Sequence, residues 1–130
     1  MTKSLKRKLK VLKRIKQFHK YKTESYKRRM SKYGEWRVIA DKILLRDEGR
    51  CRLCGSEWNT EVHHIIPKSR GGTDEERNLI TLCGNHHTGG GKDSVHTANV
   101  DYYIPIFQDI IKNIYKSQER GNNGNKIPSQ

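Results

Sequence analysis

The sequence predicts an α+β fold, and three observations point to it. Two segments that read as short strands, residues 61–66 and 79–82, lie mid-chain, separated by a Pro- and Gly-containing loop. Segments with apolar residues at three- and four-residue steps flank them on both sides. Only 32% of the 130 residues are hydrophobic. That is too few for one large core, so a small folded centre with solvated extensions is expected.

The elements follow in order. Residues 4–29 read as a basic helix, with Leu5, Leu9, Leu12, Ile15 and Phe18 forming one narrow apolar stripe. Ser31-Lys32-Tyr33-Gly34 reads as a break. A second helix is expected over 35–47, with Trp36, Ile39, Ile43 and Leu44 on one face and Asp47-Glu48-Gly49 ending it. Pro67 and Gly71-Gly72 mark the loop between the strands. A short helix is expected to start near Cys83 and to fail at Gly89-Gly90-Gly91. Residues 104–117 read as a closing helix, with Ile106, Ile110, Ile114 and Tyr115 inward. Residues 119–130 are rich in Gly, Asn and Ser and read as disordered. The expected division is a basic arm over 1–34, one functional domain over 35–118 and a tail over 119–130.

Charge is concentrated at one end. The net charge is +13, and residues 1–34 hold fourteen Lys or Arg against one acid, Glu24. The remaining residues balance. Such a segment is an electrostatic footprint for a polyanion, and nucleic acid is the expected one. No apolar run approaches the ~20 residues of a membrane-spanning helix. The N-terminus also lacks a signal-peptide core. A soluble, monomeric, cytoplasmic protein in a reducing compartment is expected.

Under reducing conditions three cysteines point to metal ligation and away from a disulfide framework. Cys51-Arg52-Leu53-Cys54 and Cys83-Gly84-Asn85-His86 are two short chelating pairs, and together they match a closed tetrahedral zinc site. A structural zinc there substitutes for the core this chain is too polar to build.

Five of the six histidines fall between 63 and 96. Adjacent strand residues point to opposite faces, so His63 and His64 are expected to have different roles. Adjacent helical residues diverge by about 100°, so His86 can face the zinc while His87 faces a second centre. Phosphodiester hydrolysis needs a Lewis-acidic cation and a group that takes a proton from water. His63, His64 and His87 supply both kinds of part.

These residues resemble the HNH nuclease family, which has the ββα-metal fold. The resemblance rests on Cys51 to Gly55, on Val62-His63-His64-Ile65-Ile66-Pro67-Lys68-Ser69-Arg70-Gly71-Gly72, on Asn78-Leu79, on Leu82-Cys83 and on His86-His87. It covers just over a third of the chain. It implies that His63 and His87 are ligands of a catalytic cation, that His64 is the general base and that Asn78 holds the base-bearing loop. It also implies that Cys51, Cys54, Cys83 and His86 bind zinc, with His86 where the family more often has cysteine. Many members carry a further ligand four residues after the last histidine. Here that position is Gly91, and His96 lies beyond the triple glycine. The expectation is that the glycines return His96 to the cation; the alternative is a phosphate contact or none.

The resemblance implies hydrolysis of DNA by a single divalent cation (Mg²⁺, Mn²⁺ or Ni²⁺), leaving a 5′-phosphate and a 3′-hydroxyl. Lys68 and Arg70, in the loop after the base, are expected to hold the nucleic acid. Nothing supplies obvious base readout, so specificity should be weak. The family's small bacteriophage members imply a place in DNA packaging, with a terminase or portal as partner. Two rival readings remain: a zinc-binding DNA-binding module without catalysis, and an accessory protein that docks on a terminase.

Overall fold

The computed structural model describes residues 1–20, 23–88, 94–96 and 99–124. Its elements are α1 (Lys3–Lys20), α2 (Glu24–Arg46), β1 (Glu61–His64), β2 (Leu79–Leu82), α3 (Gly84–His87) and α4 (Val100–Gly124). Short 3-10 turns cover Lys68–Arg70 and Glu76–Asn78. The α+β class expected from the sequence is the one observed. Among the described residues, no helix is long and apolar enough to cross a membrane.

The first helix breaks earlier than expected. The Thr23 side chain accepts a hydrogen bond from the Tyr26 N–H at 3.2 Å, and Glu24 sits in the first turn. An N-cap and an acid at the positive helix end together begin α2 there. Ser31–Gly34, expected as a break, lies inside α2. Gly34 costs roughly 1 kcal/mol against Ala in a helix, which a well-anchored C-terminal half overrides. That anchor is Ala40, Ile43 and Leu44, all buried.

The leucine stripe of α1 is not its buried face. Leu5, Leu9, Leu12 and Phe18 are each more than a third exposed, and Val11 is the buried residue. Val11 approaches the turn after α2, where Glu48 and Gly49 both have positive φ. A Cβ on Gly49 would lie 2.7 Å from Val11 Cγ2, so glycine is needed both for φ and for the approach. Polar ties complete the docking. Arg7 pairs with Glu48 at 3.2 Å, and Arg14 donates to the Thr60 hydroxyl and carbonyl, both at 2.8 Å.

The two strands form an antiparallel pair with His63 opposite Ile80 and His64 opposite Leu79. Their core face packs on α4. Ile65, Ile80, Leu82, Val95, Tyr103, Phe107 and Ile111 form the cluster, joined by Cys51 and Cys83. The inward line of α4 is thus Tyr103, Phe107 and Ile111. Ile106, Ile110, Ile114 and Tyr115, expected inward, are partly buried along its flanks. The helix starts at Val100 and runs through the first part of the expected tail to Gly124; residues 125–130 lie outside the described residues.

A buried ionic knot locks these layers. Asp47 accepts from Arg46 at 2.8 and 2.9 Å, from Arg52 at 2.9 Å and from the Thr81 backbone N–H at 3.0 Å. Its side chain is fully buried. Four donors on one carboxylate offset its desolvation and tie the end of α2 to the Cys51 turn and to β2.

Candidate active site

The turn after α2 carries Cys51 and Cys54. It is closed by a Gly55 N–H to Cys51 carbonyl bond of 2.8 Å, and Gly55 has φ +78°. Cys83 caps α3, and His86 lies within that single helical turn. Ligand atoms of the four residues all fall within 4.8 Å of one another. Cys54 Sγ to Cys83 Sγ is 3.7 Å, and His86 Nδ1 lies 3.2 Å from Cys83 Sγ and 3.6 Å from Cys51 Sγ. A tetrahedral ion with bonds of about 2.3 Å to sulfur needs S···S edges near ~3.8 Å, so the donor set fits such an ion. All three cysteines are free thiols. Burial alone would raise the Cys83 thiol, but hydrogen bonds from His86 and the neighbouring thiols bring it down to about 7.

A second cluster lies on the other side of α3. Ligand atoms of His63, His87 and His96 also fall within 4.8 Å of one another. His63 comes from β1 and is buried beside Phe107, with ring centroids 6.0 Å apart. Its Nε2 has no hydrogen-bond partner. Burial, then the nearby His87 and His96, pushes its pKa down to about 3. Burial also lowers His87, against the opposing pull of Glu61. Glu61 Oε2 lies 3.0 Å from His87 Nδ1, which fixes the ring and turns Nε2 inward. That Nε2 meets His96 Nε2 at 2.8 Å. Two ring nitrogens this close need a proton or a cation between them. An orphaned buried nitrogen beside two further imidazole nitrogens is a donor set suited to a divalent cation.

His96 reaches the cluster because the residues before it are tied to carbonyls of α3. Val95 N–H donates to the His86 carbonyl at 2.8 Å, and Ser94 Oγ donates to the His87 carbonyl at 2.9 Å. The triple glycine expected to make this return lies outside the described residues.

His64 leaves β1 on the opposite face from His63. It stacks on Trp36 of α2, with centroids 4.9 Å apart and planes 19° apart. Asp74 Oδ1 accepts from its Nε2 edge at 2.7 Å. Asn78 clamps the following loop: its Oδ1 accepts from the Ile66 N–H at 2.9 Å, and its Nδ2 donates to the Ile66 and Thr73 carbonyls at 3.1 and 2.9 Å. Gly72 is required in that loop, because a Cβ there would sit 1.7 Å from the Ile66 carbonyl oxygen. The result is a cleft of about 410 Å³ that His63, His64, His87, His96 and Lys68 all line.

Residues 51–93 match the family model described as HNH endonuclease. Two curated proteins resemble this part of the chain. The type IV methyl-directed restriction enzyme EcoKMcrA of Escherichia coli (strain K12) is 41% identical over 54 residues, covering 35% of this chain and 20% of that protein. The probable mobile endonuclease B of Enterobacteria phage T4 is 36% identical over 52 residues, covering 40% of this chain and 19% of that protein. The chain thus spans about a fifth of the length of the curated relatives it matches. No solved structure matches it significantly.

The HNH match takes in both cysteine pairs, His63, His64, Asn78 and His87; His96 and the flanking helices lie outside it. Lys68 and Arg70, in the turn after β1, both meet carboxylates. Lys68 pairs with Asp74 at 3.3 Å and borders the cleft, whereas Arg70 pairs with Asp101 of α4. Two residues at this site were not foreseen from the sequence, Asp74 and Glu61. Each touches a site histidine only because the strands and loop fold back. No local spacing signals either contact.

Proposed function

We propose that this chain is a metal-dependent DNA endonuclease that hydrolyses phosphodiester bonds with weak sequence specificity. One observation carries the reading. A carboxylate-held imidazole, His64, and a trio of clustered imidazoles, His63, His87 and His96, share one cleft in the segment that matches the HNH model. Of the cations Mg²⁺, Mn²⁺ and Ni²⁺, three imidazoles favour Ni²⁺ most and Mg²⁺ least, and a bound cation would supply Lewis-acid stabilisation of the phosphoryl and leaving oxygens.

The chain's own residues do the rest. With Asp74 on the Nε2 edge of His64, Nδ1 is the atom that takes the proton of the attacking water. Water attacks phosphorus in line with the 3′ oxygen, leaving a 5′-phosphate and a 3′-hydroxyl. Asn78 keeps the base-bearing loop in place. Lys68, at the cleft edge, contacts the strand being cut, and Arg70 contributes once DNA displaces Asp101. The ion held by Cys51, Cys54, Cys83 and His86 is a structural Zn²⁺. A setting in phage DNA processing or packaging, beside a terminase or portal, completes the proposal. The T4 relative supports its phage component.

The test is supercoiled plasmid incubated with Mg²⁺, Mn²⁺ or Ni²⁺. Wild-type protein should give nicked or linear product, and His64→Ala should lose about 10²-fold or more of the rate. A wild type that binds plasmid but cuts it under no divalent cation would leave only the DNA-binding-module reading. Equal cutting by His64→Ala would remove His64 as base.

A further inference from the structure

The face of α2 that packs on the domain does not stop where the domain stops. At 100° per residue, Ser25, Arg29 and Lys32 lie within about 40° of the direction of Trp36, and Arg28 and Tyr33 within about 80°. Further along, Ala40 and Ile43 on this same face are buried. Ser25, Arg28, Arg29, Lys32 and Tyr33 are instead exposed and together line one shallow groove. The N-terminal half of α2 therefore overhangs the body with its inward face uncovered, and that face is cationic. The acids of this stretch, Glu24 and Glu35, point about 100° or more away from Trp36.

Trp36, one turn beyond Lys32 on this face, links the groove to the residues of the cleft. Trp36 stacks on His64, and Lys68 Nζ lies 6.0 Å above the Trp36 ring. Arg29 is two helical turns from Trp36, about 10 Å along the axis. A DNA strand carries one phosphate per about 3.4 Å of axis, so this reach covers roughly three nucleotides beyond the scissile phosphate. Arg29 is also braced, its guanidinium 5.6 Å over the Phe18 ring at the end of α1.

We infer that Arg28, Arg29 and Lys32 form a track for the phosphate backbone of duplex DNA flanking the cut. The inference rests on the nuclease reading for its direction, but it concerns binding alone. It assigns the binding surface of the basic arm to one helix face. The rest of the arm's charge, on the outer side of α1, contributes only diffuse attraction.

The test compares two triple variants of the full chain with equal charge loss, Arg28→Gln/Arg29→Gln/Lys32→Gln and Lys6→Gln/Lys13→Gln/Lys16→Gln. The second set faces away from buried Val11. Both are made in a His64→Ala background, so that binding to a long duplex is read without cleavage. Helicity by circular dichroism checks that both fold. The track predicts about a tenfold or greater loss for the first triple near ~0.1 M salt, and a log K against log salt slope shallower by about 2–3. The second triple should cost about threefold or less. Equal losses, or a larger loss from the α1 triple, overturn the track. If losses are equal yet wild type cuts plasmid, the track fails and the nuclease reading stands. If the first triple alone loses binding while wild type cuts nothing, the nuclease reading fails and the track stands. Undiminished duplex binding by the first triple assigns this face to an acidic protein surface and overturns the DNA assignment.

Discussion

Asp74 holds the Nε2 edge of His64 while Trp36 supports the ring face. A carboxylate in that position selects one tautomer and one ring angle, so that Nδ1 is the free lone pair. Asp74→Asn should therefore lower kcat about tenfold or more and leave KM little changed. Steady-state plasmid or oligonucleotide kinetics read this directly; a change confined to KM would reduce Asp74 to a strand contact. At this scale the histidines were legible in the sequence because their chemistry is local: two adjacent rings on a strand, two on a helical turn. Asp74 and Glu61 were not. Asp74 reaches His64 only after Asn78 has clamped the loop and Gly72 has let it pass the Ile66 carbonyl.

Helix α1 is held to the body by few groups, and Glu48 receives two of them. It accepts from the Ser4 hydroxyl and from Arg7, and the Ser4 bond followed by Arg7 holds its carboxyl below the ordinary value of 4.5. A depressed carboxylate contributes stability that is complete above its unfolded value and is lost as pH falls through its folded value. Docking of α1 should thus weaken as pH drops below about 4.5. Limited proteolysis in α1 should rise with acid in wild type. Glu48→Gln should already be cleaved faster at neutral pH, with a flatter profile. Parallel profiles would exclude this link. The sequence showed that helices flank the centre, but it misplaced the first break and the buried stripe. Periodicity marks apolar positions, whereas Thr23 as a cap and Gly49 as a seat for Val11 depend on the neighbouring element.

The whole molecule has a modest apolar core, and two of its buried residues are cysteines of the sulfur cluster. The ion proposed there is accordingly a large part of what folds the domain. Replacing Cys54, the exposed member, with Ser removes a ligand without opening a cavity. Cys54→Ser, or a strong chelator, should abolish the cooperative thermal melt of wild type. A chelated protein that melts as wild type does would deny the site a structural role. The α+β class and the grouping of the two side-chain clusters were legible, because Cys and His recur there at the short spacings that metal ligands use. The Asp47 knot was not, since its partners Arg46, Arg52 and the Thr81 backbone come together only in the folded chain.

Helix α3 is only Gly84–His87, and its last two residues belong to different donor sets. One residue inserted or deleted between Cys83 and His86 would rotate both rings by about 100° relative to Cys83 and disrupt both centres at once. Length variation among homologues should therefore be forbidden within this turn. The two centres cannot drift apart in evolution; they are inherited as one indivisible turn.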